Sequence, residues 1–158
     1  MTKDLAKATL VACRARSEKI VTAESCTGGI VAAHLTSVAG SSDVVEGGFV
    51  TYSNAAKIEM LGVREETLDA SGAVSEDVAA EMATGALAHS QADIAVSITG
   101  IAGPGGSKYK PEGRVCFGLA TPEVTLTCTV EFGALGRSKV RNNAAKFALM
   151  ALRNKTLS

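Results

Sequence analysis

The chain has 158 residues and a formal net charge of zero, with 16 basic and 16 acidic side chains. That length fits one domain with a real core, and a neutral balance with scattered basic residues excludes the electrostatic footprint of a nucleic-acid binder. Tryptophan is absent and aromatic residues make up 4%, so the core is expected to be aliphatic and closely packed.

A helix over 5–15 comes first, with Leu5, Ala8, Ala12 and Ala15 on one face and Thr2 or Asp4 as cap. A short buried strand follows at 20–23, then a helix over 29–38 and a strand over 44–52. Ser53 or Asn54 caps the next helix, which Gly62 stops, and a short helix spans 64–70. Ser75 caps a longer helix to 90, whose first turn carries Glu76 and Asp77 at the positive end of the dipole and whose inner face carries Val78, Met82 and Leu87. A buried strand at 94–98 leads into an irregular stretch, 100–112. Runs at 114–120 and 124–132 read as an antiparallel pair joined by a glycine-free turn, Thr121-Pro122-Glu123. A helix over 138–152 ends the chain, with Val140, Ala144, Phe147 and Ala148 facing inward. Helices alternating with strands and then a strand pair predict a single α/β domain over 1–158, layered α/β/α around a mixed sheet.

No apolar run approaches the ~20 residues of a membrane helix, and the N-terminal residues read as the start of an amphipathic helix with no signal-peptide core. A cytoplasmic location is the expectation, without membrane partner. Cys13, Cys26, Cys116 and Cys128 show no CxxC spacing, which argues against zinc. Disulfides are not expected in a reducing compartment, and Cys116 and Cys128 read as small core residues. The only histidines, His34 and His89, fall in helical patterns away from the glycine-rich loops. This argues against a Ser-His-Asp triad and against a histidine metal site. No metal and no cofactor is expected.

Two loops carry the chemistry. Thr22-Ala-Glu-Ser-Cys-Thr-Gly-Gly29 and Ser97-Ile-Thr-Gly-Ile-Ala-Gly-Pro-Gly-Gly106 each follow a short apolar run and turn into hydroxyls and glycines. Such loops bring backbone N–H groups close to a ligand. Two of them at strand ends suggest a polar small-molecule site. Without a histidine, the remaining nucleophile chemistry is a hydroxyl or thiol activated by lysine. Ser41 and Ser42 lie in the turn before a strand, Tyr52 ends that strand, and Lys57 lies in the first turns of the next helix. A helix N-terminus and partial burial both disfavour the ammonium form of such a lysine. Ser25 and Cys26 are rival nucleophiles, Cys26 being more readily read as a small packed residue.

The motifs Ala23-Glu-Ser-Cys-Thr-Gly-Gly29, Gly48-Phe-Val-Thr-Tyr-Ser-Asn54 with Lys57, Gly72-Ala-Val-Ser75 and Thr99-Gly-Ile-Ala-Gly-Pro104 resemble the C-terminal domain of the competence-damage-inducible protein CinA, in the family's order. That domain also occurs as a stand-alone nicotinamide-nucleotide amidase. The resemblance implies a metal-independent amidohydrolase converting nicotinamide mononucleotide to nicotinate mononucleotide and ammonia. It implies Ser42 as nucleophile, Lys57 as its base and Tyr52 as assistant. Ser25 and Thr99 are expected to bind substrate or donate to an oxyanion. Backbone N–H groups around Gly100, Gly103 and Gly105, with Arg137, are expected to hold the phosphate. The sequence departs from the family at Gly136, where an aspartate is expected, and at Glu112 and Arg114, where the family tends to have Val and Thr. A nucleotide-binding module without catalysis, or a relative acting on another amide, are the rival readings. Edge strands and an alanine-rich surface are compatible with a homo-oligomer.

Overall fold

The computed structural model describes residues 2–158. Its elements run α1 (Thr2–Ala15), β1 (Ile20–Glu24), α2 (Ile30–Thr36), β2 (Val45–Val50), α3 (Asn54–Leu61), α4 (Glu65–Ser71), α5 (Glu76–Ala88), β3 (Ile94–Gly100), β4 (Arg114–Ala120), β5 (Thr125–Glu131) and α6 (Arg137–Asn154). One 3-10 turn, Ser41–Asp43, precedes β2. The strands form one sheet in the order β2-β1-β3-β4-β5. β1 pairs in parallel with β2 and β3, while β4 and β5 complete the sheet antiparallel, so the sheet is mixed as the pattern predicts.

The layers follow from strand periodicity. Alternate side chains of a strand point to opposite faces, and β1 is buried at every position, so each face needs its own helical cover. Ile20, Ile94, Val96 and Ile98 face Leu10, Leu35 and Leu149, so α1, α2 and α6 lie on that side. Val21, Ala23 and Ala95 face Leu61, Leu68, Val78 and Met82, which places α3, α4 and α5 on the other. Each of the Val, Leu, Ile and Met side chains among these contributes roughly 1.5–3 kcal/mol by leaving water. Three of the six aromatics cluster, with the Phe117 ring 4.4 Å from that of Phe147 and 6.4 Å from that of Phe132.

Close approach of backbones makes small residues necessary. A Cβ on Gly85 of α5 would fall 1.9 Å from the carbonyl oxygen of Leu61 at the end of α3. The glycine-free β4–β5 turn closes through Thr121, which donates its N–H to the Val124 carbonyl at 2.9 Å and accepts the Val124 N–H on Oγ1 at 3.3 Å.

One face is set differently from the sequence expectation. The buried stripe of α1 is Ala6, Thr9, Leu10 and Cys13, while Ala15 is exposed. An alanine-rich helix has a weak phase signal, and here the buried Thr9 hydroxyl sits between two carbonyl acceptors, Leu5 in its own helix at 2.8 Å and Leu149 of α6 at 3.0 Å. Cys116 is buried as expected, whereas Cys128 on the edge strand is only half-buried. Among the described residues no helix is long and apolar enough to cross a membrane.

Candidate functional site

The strand order places a topological switch between β1 and β3. The chain leaves β1 toward β2 on one side, and β3 lies on the other, so the loops after β1 and β3 diverge and leave a crevice at their carboxyl ends. A cavity of about 260 Å³ lies there, lined by Ser25, Cys26, Tyr52, Asn54, Lys57, Ala73, Val74, Thr99, Gly100, Ala102 and Arg137. Both hydroxyl-and-glycine loops therefore meet in one place, as their composition predicts.

The loop after β1 is a tight turn. Ser25 donates its N–H to the Ile98 carbonyl of β3 at 2.9 Å, and its own carbonyl accepts the Gly28 N–H at 3.1 Å. Gly28 and Gly29 have φ of +60° and +106°, which side chains with a Cβ rarely adopt. Glu24 completes the turn from within. Its fully buried carboxylate accepts the N–H groups of Gly29, Val31 and Ala32 at 3.0–3.2 Å and the Thr22 hydroxyl at 3.3 Å. A strand carboxylate thus satisfies the start of α2, which lacks a side-chain cap of its own. Arg141 of α6 holds the same turn from outside, donating to the Cys26 and Thr27 carbonyls at 3.0 and 3.3 Å.

Lys57 reaches this turn from the opposite side. Ser53 caps α3 by accepting the Ala56 N–H at 3.0 Å, and one turn later Lys57 turns inward, 1% exposed. Its ammonium nitrogen lies 3.0 Å from Ser25 Oγ, 3.0 Å from the Thr51 carbonyl and 3.1 Å from the Tyr52 carbonyl. Among the described residues no carboxylate pairs with it. Burial pushes its pKa below the ordinary 10.5, and the nearby Cys26 only partly opposes this. A neutral amine has two N–H groups and one lone pair. With Lys57 neutral, the two carbonyls would take the two N–H groups and the lone pair would face Ser25 Oγ.

The expected residues are not all brought together. Ser42 lies in the exposed turn before β2, whereas Lys57 lies beyond the other end of that strand. The six residues of β2 span about 20 Å between them. Ser42 is therefore corrected as Lys57's partner, and Ser25, expected as a binding residue, stands in its place. Ser41 lies with Ser42 at that far end. The Tyr52 hydroxyl does not reach Lys57 either. It accepts from Arg137 at 2.9 Å at the cavity rim, and Tyr52 meets Lys57 only through its backbone oxygen. Thr99 lines the cavity, but its one hydroxyl hydrogen goes to the Ala73 carbonyl at 2.8 Å, so it is no oxyanion donor here.

Gly100 packs where a Cβ would come 2.7 Å from Val115 and 3.1 Å from the Cys26 sulfur. Gly103 and Gly105 do not line the cavity. The Gly103 carbonyl accepts from Arg137 at 2.6 Å, and the Gly105 N–H is taken by Glu112 at 2.6 Å. Cys26 is buried, and burial pushes its thiol up to about 12. That makes it a packed thiol at neutral pH rather than a nucleophile. The His89 ring bonds to the Gly85 carbonyl at 2.8 Å on α5, and neither histidine lines the cavity. Among the described residues no three His, Cys, Asp or Glu side chains gather as a metal site would require.

Sequence reasoning missed Glu24, Asn54 and Arg141. Glu24 stands inside the first motif, and a carboxylate in an otherwise apolar strand running into a helix start was the available signal. For Arg141, more than a hundred residues away in sequence, no local signal existed.

The fold and the cavity define a three-layer α/β domain with a hydroxyl–lysine pair at the sheet's switch point. The CinA C-terminal domain model matches residues 2–156, and the chain belongs to that family. It is 54% identical over 142 residues to the Nicotinamide-nucleotide amidohydrolase PncC of Escherichia coli (strain K12), covering 89% of this chain and 86% of that protein. A CinA-like protein of Chloroherpeton thalassium is 61% identical over 109 residues, which are 68% of this chain and 26% of that protein. Among solved structures, the competence/damage inducible protein CihA from Agrobacterium tumefaciens superposes with a TM-score of 0.92 at 45% identity, covering 96% of this chain and 93% of that one. A CinA superfamily protein from Klebsiella pneumoniae gives 0.94 at 39% identity, covering 98% and 97%.

Proposed function

We propose that this chain hydrolyses the carboxamide of nicotinamide mononucleotide to nicotinate mononucleotide and ammonia, with Ser25 as nucleophile and Lys57 as its base. The observation that carries the reading is the 3.0 Å contact between Lys57 Nζ and Ser25 Oγ in the cavity. The substrate is taken from the Escherichia coli relative, named as a nicotinamide-nucleotide amidohydrolase.

Neutral Lys57 takes the Ser25 proton as Oγ attacks the carboxamide carbon. The N–H groups of Cys26 and Thr27 follow the nucleophile at the start of the turn, and no backbone acceptor among the described residues takes either. They are the donors at hand for the oxyanion. The Lys57 ammonium then protonates the departing nitrogen, ammonia leaves, and Lys57 activates the water that hydrolyses the acyl-enzyme. Arg137, exposed at the rim with no carboxylate partner among the described residues, takes the phosphate. No step needs a metal.

The test is ammonia release by the purified protein from nicotinamide mononucleotide, nicotinamide riboside and nicotinamide, with and without chelator. Release from the mononucleotide in chelator supports the reading. Mononucleotide binding without ammonia release would instead support a nucleotide-binding module.

A further inference from the structure

The irregular stretch between β3 and β4 is fastened at its turn by one carboxylate. Glu112 Oε1 accepts the Gly105 N–H at 2.6 Å, and Glu112 Oε2 accepts the Gly136 N–H at 2.9 Å. One side chain thus ties the 103–105 turn to the residue that caps α6. The contact is tight, because a Cβ on Gly103 would fall 2.5 Å from the Glu112 carboxyl carbon. Arg137, the first residue of α6, grips the same turn, donating to the Gly103 carbonyl at 2.6 Å and to the Tyr52 hydroxyl at 2.9 Å.

Arg137 and Glu112 both bond to the 103–105 turn yet form no ion pair with each other. Glu112's two oxygens are committed to N–H groups, and the Arg137 guanidinium rests on two neutral oxygens. A rim cation held by neutral acceptors keeps its charge for an incoming anion, whereas a direct carboxylate pair would already have neutralised it. The Gly105 and Gly136 N–H groups, which would otherwise be open to a phosphate, are filled by Glu112, so the phosphate is left to Arg137.

We propose that Glu112 is a positioning residue for substrate specificity: by clamping the 103–105 turn to α6 it holds Arg137 uncompensated at the cavity rim, and so sets the preference for a phosphorylated over an unphosphorylated nucleoside amide. This rests on the amidase reading above. Glu112 itself does not touch the substrate. It acts through the Gly103 carbonyl and the α6 N-terminus on which Arg137 depends.

The experiment is steady-state kinetics of Glu112→Ala and Glu112→Gln on the mononucleotide and the riboside, alone and combined with Arg137→Ala. Expected for Glu112→Ala is a KM for the mononucleotide raised about tenfold, the scale of one charge-assisted contact, with kcat within about twofold and the riboside unaffected. Gln keeps one acceptor oxygen, and its effect should be smaller. In the Arg137→Ala background neither change should add anything, because the cation they position is gone. An unchanged or lowered mononucleotide KM would overturn the proposal, the latter by marking Glu112 as a competing charge. So would an equal loss on the riboside, or losses that add to that of Arg137→Ala. If Glu112→Ala melts at assay temperature, the Gln variant carries the comparison.

Calorimetric binding of both ligands is measured in parallel in a Ser25→Ala background. A wild type that releases no ammonia but binds the mononucleotide through Glu112 and Arg137 fails the amidase reading and not this one. A protein that binds neither ligand fails both.

Discussion

Replacing Lys57 with Met separates chemistry from packing at the centre of the site. Methionine keeps most of the aliphatic stem in a position that is 1% exposed and removes the amine that lies 3.0 Å from Ser25 Oγ. A positioned general base contributes ~10²–10⁴ in rate, or about 2.7–5.5 kcal/mol of barrier, and turnover should fall by at least that factor. Ser25→Ala should fall as far, and the double variant little further, because the pair acts as one unit. Stability should change less. The buried Thr51 carbonyl loses a donor, costing ~1–3 kcal/mol, and removal of a buried ammonium offsets part of this. The melting temperature should therefore move only a few degrees, at about 2–4 °C per kcal/mol for this size.

The pH dependence carries a sign. Lys57 has a folded pKa below its ordinary 10.5 because of burial. Between the folded value and 10.5 the unfolded chain holds the proton of this lysine more than the native one does, so the Lys57 contribution to stability rises with pH across that window and is level below it, while the buried thiols, raised above 9.0, contribute the opposite slope at its upper end. Wild-type turnover should rise with pH in parallel, with a midpoint below 10.5. Lys57→Met should remove the turnover slope, and the difference between wild-type and Lys57→Met stability should rise with pH across the same window. Ammonia release and thermal melts across pH are the assays, and turnover within tenfold of wild type in Lys57→Met would refute the dyad.

Ser42→Ala should keep turnover within about twofold, since the residue is exposed at the far end of β2 and surface changes are usually small; large loss here with near-normal Ser25→Ala would reverse the assignment. Arg137→Ala should lower kcat/KM on the mononucleotide by roughly tenfold or more, the scale of a charge-assisted contact, while leaving the riboside nearly unchanged; equal losses would mean that Arg137 acts through folding. Thiol alkylation of the native protein should leave Cys26 unmodified and activity intact, because burial pushes that thiol up to about 12, and mass spectrometry of the treated enzyme checks it. Gly85→Ala should lower stability by at least the ~1–3 kcal/mol of an overpacked core, read by denaturant melts, because the new Cβ would fall 1.9 Å from the Leu61 carbonyl oxygen.

The layered fold was legible because its strands carry two-sided apolar runs and its helices carry caps. Ile94 to Ile98 can be read as a buried strand without any tertiary information, and Ser53 and Ser75 act as the caps their positions predict. The two loops were legible because hydroxyls and glycines at strand ends have few other uses. What failed was partnership. Lys57 and Ser42 are fifteen positions apart and flank one strand, which made them neighbours in sequence but put a full strand length between them. Ser25 is thirty-two positions from Lys57 and meets it because β1 and β2 run parallel, with Glu24 paired to Val50. Parallel pairing is the one fact that local pattern cannot supply. The same limit hid Arg141 and the double use of Glu112, whose partners lie at 105 and 136.

In the proposed mechanism Lys57 is the base, so the cavity needs no histidine. A lysine serves at neutral pH only if its charge is made costly, which requires burial and the absence of a carboxylate. Both conditions are met at the parallel edge of this sheet. β1 and β2 end side by side, so the carbonyls just past β2 point inward and accept from Lys57 without neutralising it. Glu24, one residue before Ser25, has its carboxylate committed to the α2 N-terminus. That arrangement has two effects at once. It keeps an anion from pairing with the lysine and holding it protonated, and it fixes the tight turn that presents Ser25. Glu24→Gln should therefore disturb the site twice: the amide places a donor against one of the three N–H groups, and the turn carrying Ser25 loosens. A fall in kcat with a broadened pH profile is the expected result, and an unchanged profile would show that the turn is held by Arg141 and the two glycines alone.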